Sequence, residues 1–123
     1  VILDVAHNRQ SVAQLALWLE RNPKPTRAVF CALKDKDTPA MIEVLSPFIR
    51  LWYVGVLYEP AGRCFSEQEL STVLRQCLPE TAYRLHESVP AAYQAALADT
   101  PVDQRILVFG SFHTLEAVMR HVH

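Results

Sequence analysis

The stretch Leu3-Asp4-Val5-Ala6-His7-Asn8 decides how this chain is read. An apolar segment over residues 1–5 runs into an acid, a histidine and an amide, and Ser11 then opens an amphipathic pattern. That order predicts a strand followed by a helix, the kind of junction at which parallel α/β sheets hold ligands. A second junction of the same kind, Gly110-Ser111-Phe112-His113-Thr114, follows the last apolar run and precedes the last helical pattern. Two such turns at opposite ends of the sequence predict one site assembled from distant residues.

The residues between them alternate strand-like and helix-like segments. Ser11, with Gln14 as its capping-box partner, starts a helix with Val12, Leu15, Trp18 and Leu19 on its apolar face; Asn22-Pro23-Lys24-Pro25 stops it. Residues 28–33 form a continuous apolar run, as expected of a central strand buried on both faces. Asp37 or Thr38 caps the next helix, with Pro39 in its first turn and Met41, Ile42 and Leu45 toward the sheet. Residues 51–57 read as a third strand, and Ser66-Glu67-Gln68-Glu69 is a second capping box. Residues 81–85 read as a peripheral strand, 88–98 as a helix and 106–109 as the last strand. Leu115, Val118, Met119 and Val122 then give the stripe of a closing helix. The prediction is an α/β fold: a Rossmann-like three-layer domain over residues 1–123, with a mostly parallel sheet of five or six strands and helices on both faces. Right-handed crossovers place the strand-to-helix turns on one edge.

Composition narrows the function classes. The 123 residues are half hydrophobic, enough for a real core, and 12 basic and 13 acidic residues are mixed along the chain. No basic stripe points to nucleic acid, and the longest apolar runs fall far short of the roughly 20 residues of a membrane helix. Cys31, Cys64 and Cys77 form no Cys-x-x-Cys pair, which argues against zinc and against a disulfide framework and fits a cytoplasmic setting. The first residue is not Met and lies inside an apolar run, with neither the basic flank nor the cleavage site of a signal peptide. The expectation is a fragment of a longer protein, cut near a domain boundary.

Each candidate site residue has a functional and a structural reading. Asp4, at a strand end, either accepts hydrogen bonds from ribose hydroxyls or caps its own turn. His7 and Asn8 share that turn; the histidine either meets a phosphate or carboxylate or bonds a backbone carbonyl. Ser111, His113 and Thr114 approach the last helix, whose free N–H groups suit an anion, although Ser111 or Thr114 also serves as an ordinary cap. Lys34 and Lys36 lie in a turn predicted on the same edge, either pairing with an anion or simply solvated. Absences matter as well. No Gly-x-x-x-x-Gly-Lys-Ser/Thr run is present, and the three glycines, Gly55, Gly62 and Gly110, lie too far apart for Gly-x-Gly-x-x-Gly.

Three motifs, Leu-Asp-Val-Ala-His-Asn (3–8), Leu-Lys-Asp-Lys-Asp (33–37) and Val-Phe-Gly-Ser-Phe-His-Thr (108–114), resemble the C-terminal domain of the bifunctional dihydrofolate synthase/folylpolyglutamate synthases. These are members of the Mur ligase superfamily, and the resemblance runs in order over essentially the whole chain, with Trp52-Tyr53 and Pro60-Ala61-Gly62-Arg63 included. It implies an ATP- and Mg2+-dependent amide ligase that adds L-glutamate to dihydropteroate or folates through an acyl phosphate. The N-terminal ATPase domain of the same chain is then the partner that carries the P-loop and metal ligands, and the present domain is not catalytic alone. Position by position, the resemblance makes Asp4, His7 and Asn8 nucleotide contacts, and Lys36, Ser111, His113 and Thr114 glutamate contacts, with no metal ligand here. Arg9 stands where the family usually has proline, and a family arginine falls upstream of Val1. The family's sheet is mixed, which puts its added strand either at residues 81–85 or outside the chain. Two rivals remain: the matching domain of a peptidoglycan-precursor ligase, and a non-catalytic α/β binding or regulatory module. A receiver-type module needs a phosphoacceptor Asp after the third strand, where Gly55-Val56-Leu57-Tyr58 stands instead.

Overall fold

Five parallel strands form one sheet in the order β1-β5-β2-β3-β4. The computed structural model describes residues 1–4, 6–59 and 61–122. In chain order these hold β1 (Ile2–Leu3), α1 (Arg9–Arg21), β2 (Thr26–Phe30), α2 (Thr38–Leu45), β3 (Leu51–Gly55), α3 (Glu67–Cys77), β4 (Tyr83–His86), α4 (Val89–Asp99), β5 (Arg105–Phe109) and α5 (Phe112–Val122). Short 3-10 turns occupy Ser46–Phe48 and Glu80–Ala82.

The strand order follows from crossover handedness. Three successive connections step across the sheet in one direction, which puts α1, α2 and α3 on one face, and the return from β4 to β5 puts α4 on the other. The packing agrees: α1 touches α2, α2 touches α3, and α4 touches α5. Helices cover both faces, so the inner strands are apolar on both sides; Ala28, Val29, Phe30 and Leu107, Val108, Phe109 are fully buried. On the α1–α3 face Phe30 meets Trp52 edge-on and Phe109 at a tilt, with ring centroids 5.5 and 4.8 Å away. All described pairings are parallel, β3 with β4 included. The peripheral strand at 83–86 is therefore not the added strand of a mixed sheet.

Local departures from the sequence expectations have local causes. Helix α1 starts at Arg9, with Asn8 as N-cap and Ser11 at the third helical position. The Asn8 side chain accepts from the Ser11 N–H at 2.8 Å, while Ser11 Oγ accepts from the Asn8 N–H at 3.2 Å. Ser11 is thus the far half of the box, not its start, because the amide immediately before the helix caps it first. Trp18 is 42% exposed: one position ahead of Leu19, it points about 100° away from that buried residue. In α5 the stripe is shifted by one step. Thr114, Leu115 and Val118 face inward and Met119 is 49% exposed, because a hydrogen-bonded threonine takes the inner position. Strand β2 ends at Phe30, beside the last residue of β5, yet residues 31–33 stay buried. Strand β3 stops at Gly55, where any Cβ would run into the backbone of Ser88 and Val89 at the start of α4. The cap at Asp37 and the capping box at Ser66 form as read, and Ser88 caps α4 by accepting from the Ala91 N–H.

Candidate functional site

The turns that leave the carboxyl ends of the strands are joined into one rim. Asp4 N–H donates to Val108 O at 3.0 Å, extending the β1–β5 pairing, and Gly110 N–H donates to Ala6 O at 3.1 Å. The turn after β1 and the turn after β5 are therefore bonded neighbours, although more than a hundred positions apart in sequence. Gly110 sits at φ +125°, and a Cβ there would strike the Cys31 carbonyl and come within 2.9 Å of Phe30 Cδ1. Only glycine lets the β5 turn press this close to the β2 turn. Beyond it, Arg9 pairs with Asp37 at 2.8 Å, Arg63 with Asp35 at 2.7 Å, and Lys34 N–H bonds Arg63 O at 2.9 Å. The Arg63 guanidinium beside Asp35 holds that carboxyl below its usual pKa.

Beneath the rim runs a short hydroxyl chain. Ser111 Oγ accepts from the Thr114 N–H at 3.1 Å and so caps α5. Thr114 Oγ1 donates to Cys31 O at 2.7 Å, which commits its only proton; the 3.0 Å contact between the two hydroxyls is then Ser111 donating to Thr114. Both side chains are buried, Ser111 at 3% and Thr114 at 0% exposure. The Cys31 thiol is enclosed too, and burial pushes its pKa up to about 12. This cysteine is a core hydrophobe, not a nucleophile.

No protein-family model matches the chain. A curated relative, the dihydrofolate synthase/folylpolyglutamate synthase of Escherichia coli, is 35% identical over 121 residues, which cover 97% of this chain and 27% of the relative. That of Haemophilus influenzae is 32% identical over 119 residues, or 94% of this chain and 27% of the relative. The chain is similar to these enzymes over nearly its whole length. It spans about a quarter of their length. Among solved folate synthase structures, the E. coli protein in complex with ADP superposes with a TM-score of 0.83 at 30% identity, over 97% of this chain and 28% of that one. The Yersinia pestis bifunctional folylpolyglutamate synthase/dihydrofolate synthase complexed with AMPPNP and Mn gives 0.82 at 31% identity, over 98% and 28%. A bifunctional synthase solved with Mn, AMPPNP and L-glutamate gives 0.81 at 31% identity, over 98% and 29%.

The sequence-predicted residues lie on one edge but not in one cavity. Asp4 is half-buried, and its Oδ1 accepts from the Ala6 N–H at 2.8 Å. With Asn8, Gln14 and Trp18 it lines an open groove of about 550 Å³ beside α1. The Asn8 side-chain oxygen is occupied by its cap, and the His7 N–H donates to Ser11 Oγ at 3.1 Å. His113 is half-buried on a separate groove of about 440 Å³ with Tyr58, Pro90 and Glu116. Lys36, also half-buried, stands in the turn that the Arg9–Asp37 pair ties to the start of α1. Ser111 and Thr114 lie below the surface between these places.

The sequence reading named Arg9 and Arg63 but not their ion pairs, whose partners lie across the rim and leave no local trace. Thr38 was read only as a possible cap. It is 1% exposed, and its hydroxyl has no partner among the described residues. The described residues contain no group of three His, Cys, Asp or Glu arranged to hold a metal.

Proposed function

We propose that the chain is the C-terminal domain, spanning residues 1–123, of an ATP-dependent ligase that adds L-glutamate to dihydropteroate or to folates and that is not catalytic without its N-terminal ATPase domain. In that reaction a substrate carboxylate takes a phosphoryl group from ATP, and the glutamate amine then displaces phosphate to close the amide. The observation that carries the reading is the Gly110 N–H to Ala6 O bond, which joins the Asp4 turn to the Ser111 turn in one rim. Relatives with this name and solved folate synthases holding ADP, AMPPNP or L-glutamate support it.

Each residue's part follows from its surroundings. The Ala6 N–H fixes Asp4 through Oδ1, which leaves Oδ2 as an acceptor for ribose hydroxyls. Asn8 contributes by shaping the nucleotide-side turn as its cap, and the half-buried His7 imidazole meets the nucleotide from the same turn. Lys36 offers an ammonium to a glutamate carboxylate. The first turn of α5 offers free N–H groups and a positive dipole end to the same ligand. Ser111 and Thr114 serve glutamate by fixing that helix start, and His113 contributes from its groove. The donor set here does not fit Mg2+, so its ligands and the triphosphate cradle are assigned to the N-terminal domain. We also place the protein in the cytoplasm; no helix among the described residues is long and apolar enough to cross a membrane.

The test uses the full-length parent enzyme. Asp4→Ala should raise the KM for ATP about tenfold, as expected for losing hydrogen bonds to a charged group, with the KM for glutamate unchanged. An unaltered ATP requirement would reject the ribose assignment. Tight ATP binding by the 123-residue chain alone, measured calorimetrically, would reject the split site.

A further inference from the structure

The opposite edge of the sheet holds a buried cation that the proposed reaction does not use. Arg105, the first residue of β5, is 9% exposed. Its guanidinium lies 5.0 Å from the Trp18 ring centroid, and its Nε donates to Thr26 Oγ1 at 3.0 Å. The Thr26 hydroxyl is itself oriented, because its proton goes to Lys24 O at 2.8 Å. One ring face and one N–H are thus fixed, and the two terminal nitrogens find no acceptor among the described residues. Burial pushes the Arg105 pKa below its ordinary value, so the charge sits where it is costly.

The surroundings add charge of the same sign. Arg105, Lys24 and Arg50 border a groove of about 440 Å³ between the end of α1 and the 3-10 turn after α2, with Glu20 as the acid among its lining residues. None of the three cations forms an ion pair among the described residues. Backbone bonds set the spacing: Arg50 N–H donates to Thr26 O at 2.8 Å and Arg105 N–H to Pro25 O at 2.8 Å, so the arginines flank β2 at its first residue. Leu19, Pro47 and Phe48 supply apolar walls.

We propose that this groove is a binding site for a phosphomonoester, with Arg105 as its fork-shaped floor and Arg50 and Lys24 at its mouth. Three cations against one acid suit a dianion better than a monocarboxylate. A planar guanidinium held by Thr26 and Trp18 meets two phosphate oxygens without further ordering. The apolar walls take the ester's organic body. The site lies at the amino ends of the strands, away from the rim, so it stands or falls independently of the ligase reading.

The experiment is an NMR titration of the 123-residue chain, which has its own continuous core. The probe is phenyl phosphate at pH 7.5, a dianion because its second ionisation lies near about pH 6. Saturable shifts are expected at the amides of Thr26, Arg50 and Arg105 and at the Arg105 Nε–H. Inorganic phosphate should bind more weakly, and benzoate, with one charge, more weakly still. Arg50→Glu, an exposed change that leaves the packing alone, should weaken phenyl phosphate binding about tenfold. Arg105→Lys should do the same by removing the fork, and Arg75→Glu, on the exposed side of α3, should change nothing. Absence of saturation, shifts equal to those from added sodium chloride, tighter binding of benzoate, or indifference to Arg50→Glu would each overturn the proposal.

Discussion

Replacing Thr114 with valine tests whether the hydroxyl chain under the rim holds the three turns together. The change keeps side-chain shape at a position that is 0% exposed, so it opens no cavity. It removes the 2.7 Å hydrogen bond to Cys31 O and leaves that carbonyl, in a residue 1% exposed, without its donor. A buried polar group stripped of its partner costs about 1–3 kcal/mol. The Ser111 hydroxyl loses its acceptor as well, while its cap to the Thr114 N–H survives. The combined loss is placed at about 2–3 kcal/mol, and for a domain of this size about 4 °C of Tm accompanies each kcal/mol. Urea unfolding followed by fluorescence should show a lower midpoint at constant m, and calorimetry a Tm lower by about 10 °C. Ser111→Ala should cost about 1 kcal/mol as a lost cap, and the double variant should fall short of additivity by at least about 0.5 kcal/mol. A loss below about 0.5 kcal/mol for Thr114→Val, the range of an ordinary surface change, would refute the linked-hydroxyl account.

Gly110→Ala should destabilise by about 3 kcal/mol or more, since it adds a left-handed backbone penalty to a collision with Cys31, and chemical denaturation measures it. The Glu69 carboxyl is held below its ordinary 4.5 by the Ser66 N–H, so the capping box contributes stability above that pH and loses it as pH falls through the lowered value. Glu69→Gln should accordingly flatten the acid limb of a stability–pH curve, and an unchanged limb counts against the box. Cys31, with its pKa near 12, should resist a thiol reagent at pH 8 until the protein unfolds, while the half-buried Cys64 and Cys77 react first; mass spectrometry of labelled peptides decides.

Much of the architecture was legible because the signals are local. The all-apolar run at 28–33 could only be an inner strand of a sheet covered on both faces, and Ser66 with Glu69 carried its cap within four residues. Strand order was not local. Nothing in Ile2 or Leu3 says that they pair with Leu107 and Val108 instead of with the next strand, and only crossover geometry and packing decide it. The same limit applied to the site. Asp4, His7 and Ser111 could be named as candidates because strand-to-helix turns advertise them. Arg9–Asp37 and Arg63–Asp35 went unseen because each joins turns that meet only after folding. Ser111 and Thr114 show the converse: hydroxyls at a helix start look the same in sequence whether they face a ligand or, as here, the carbonyl of a buried cysteine.

The pairing of β1 with β5 has a consequence for how the protein is made. Ile2 finds its partner in Leu107, so the strand that bears Asp4 leaves the ribosome long before the strand that will hold it. At about 5–20 residues per second the wait is on the order of ten seconds. Over that interval β2 and β3 have each other and can assemble with α2, while the first strand has no partner in the sheet. The rim is therefore closed from its late side: the arrival of β5 completes the sheet's centre and gives the first strand its place in the same event.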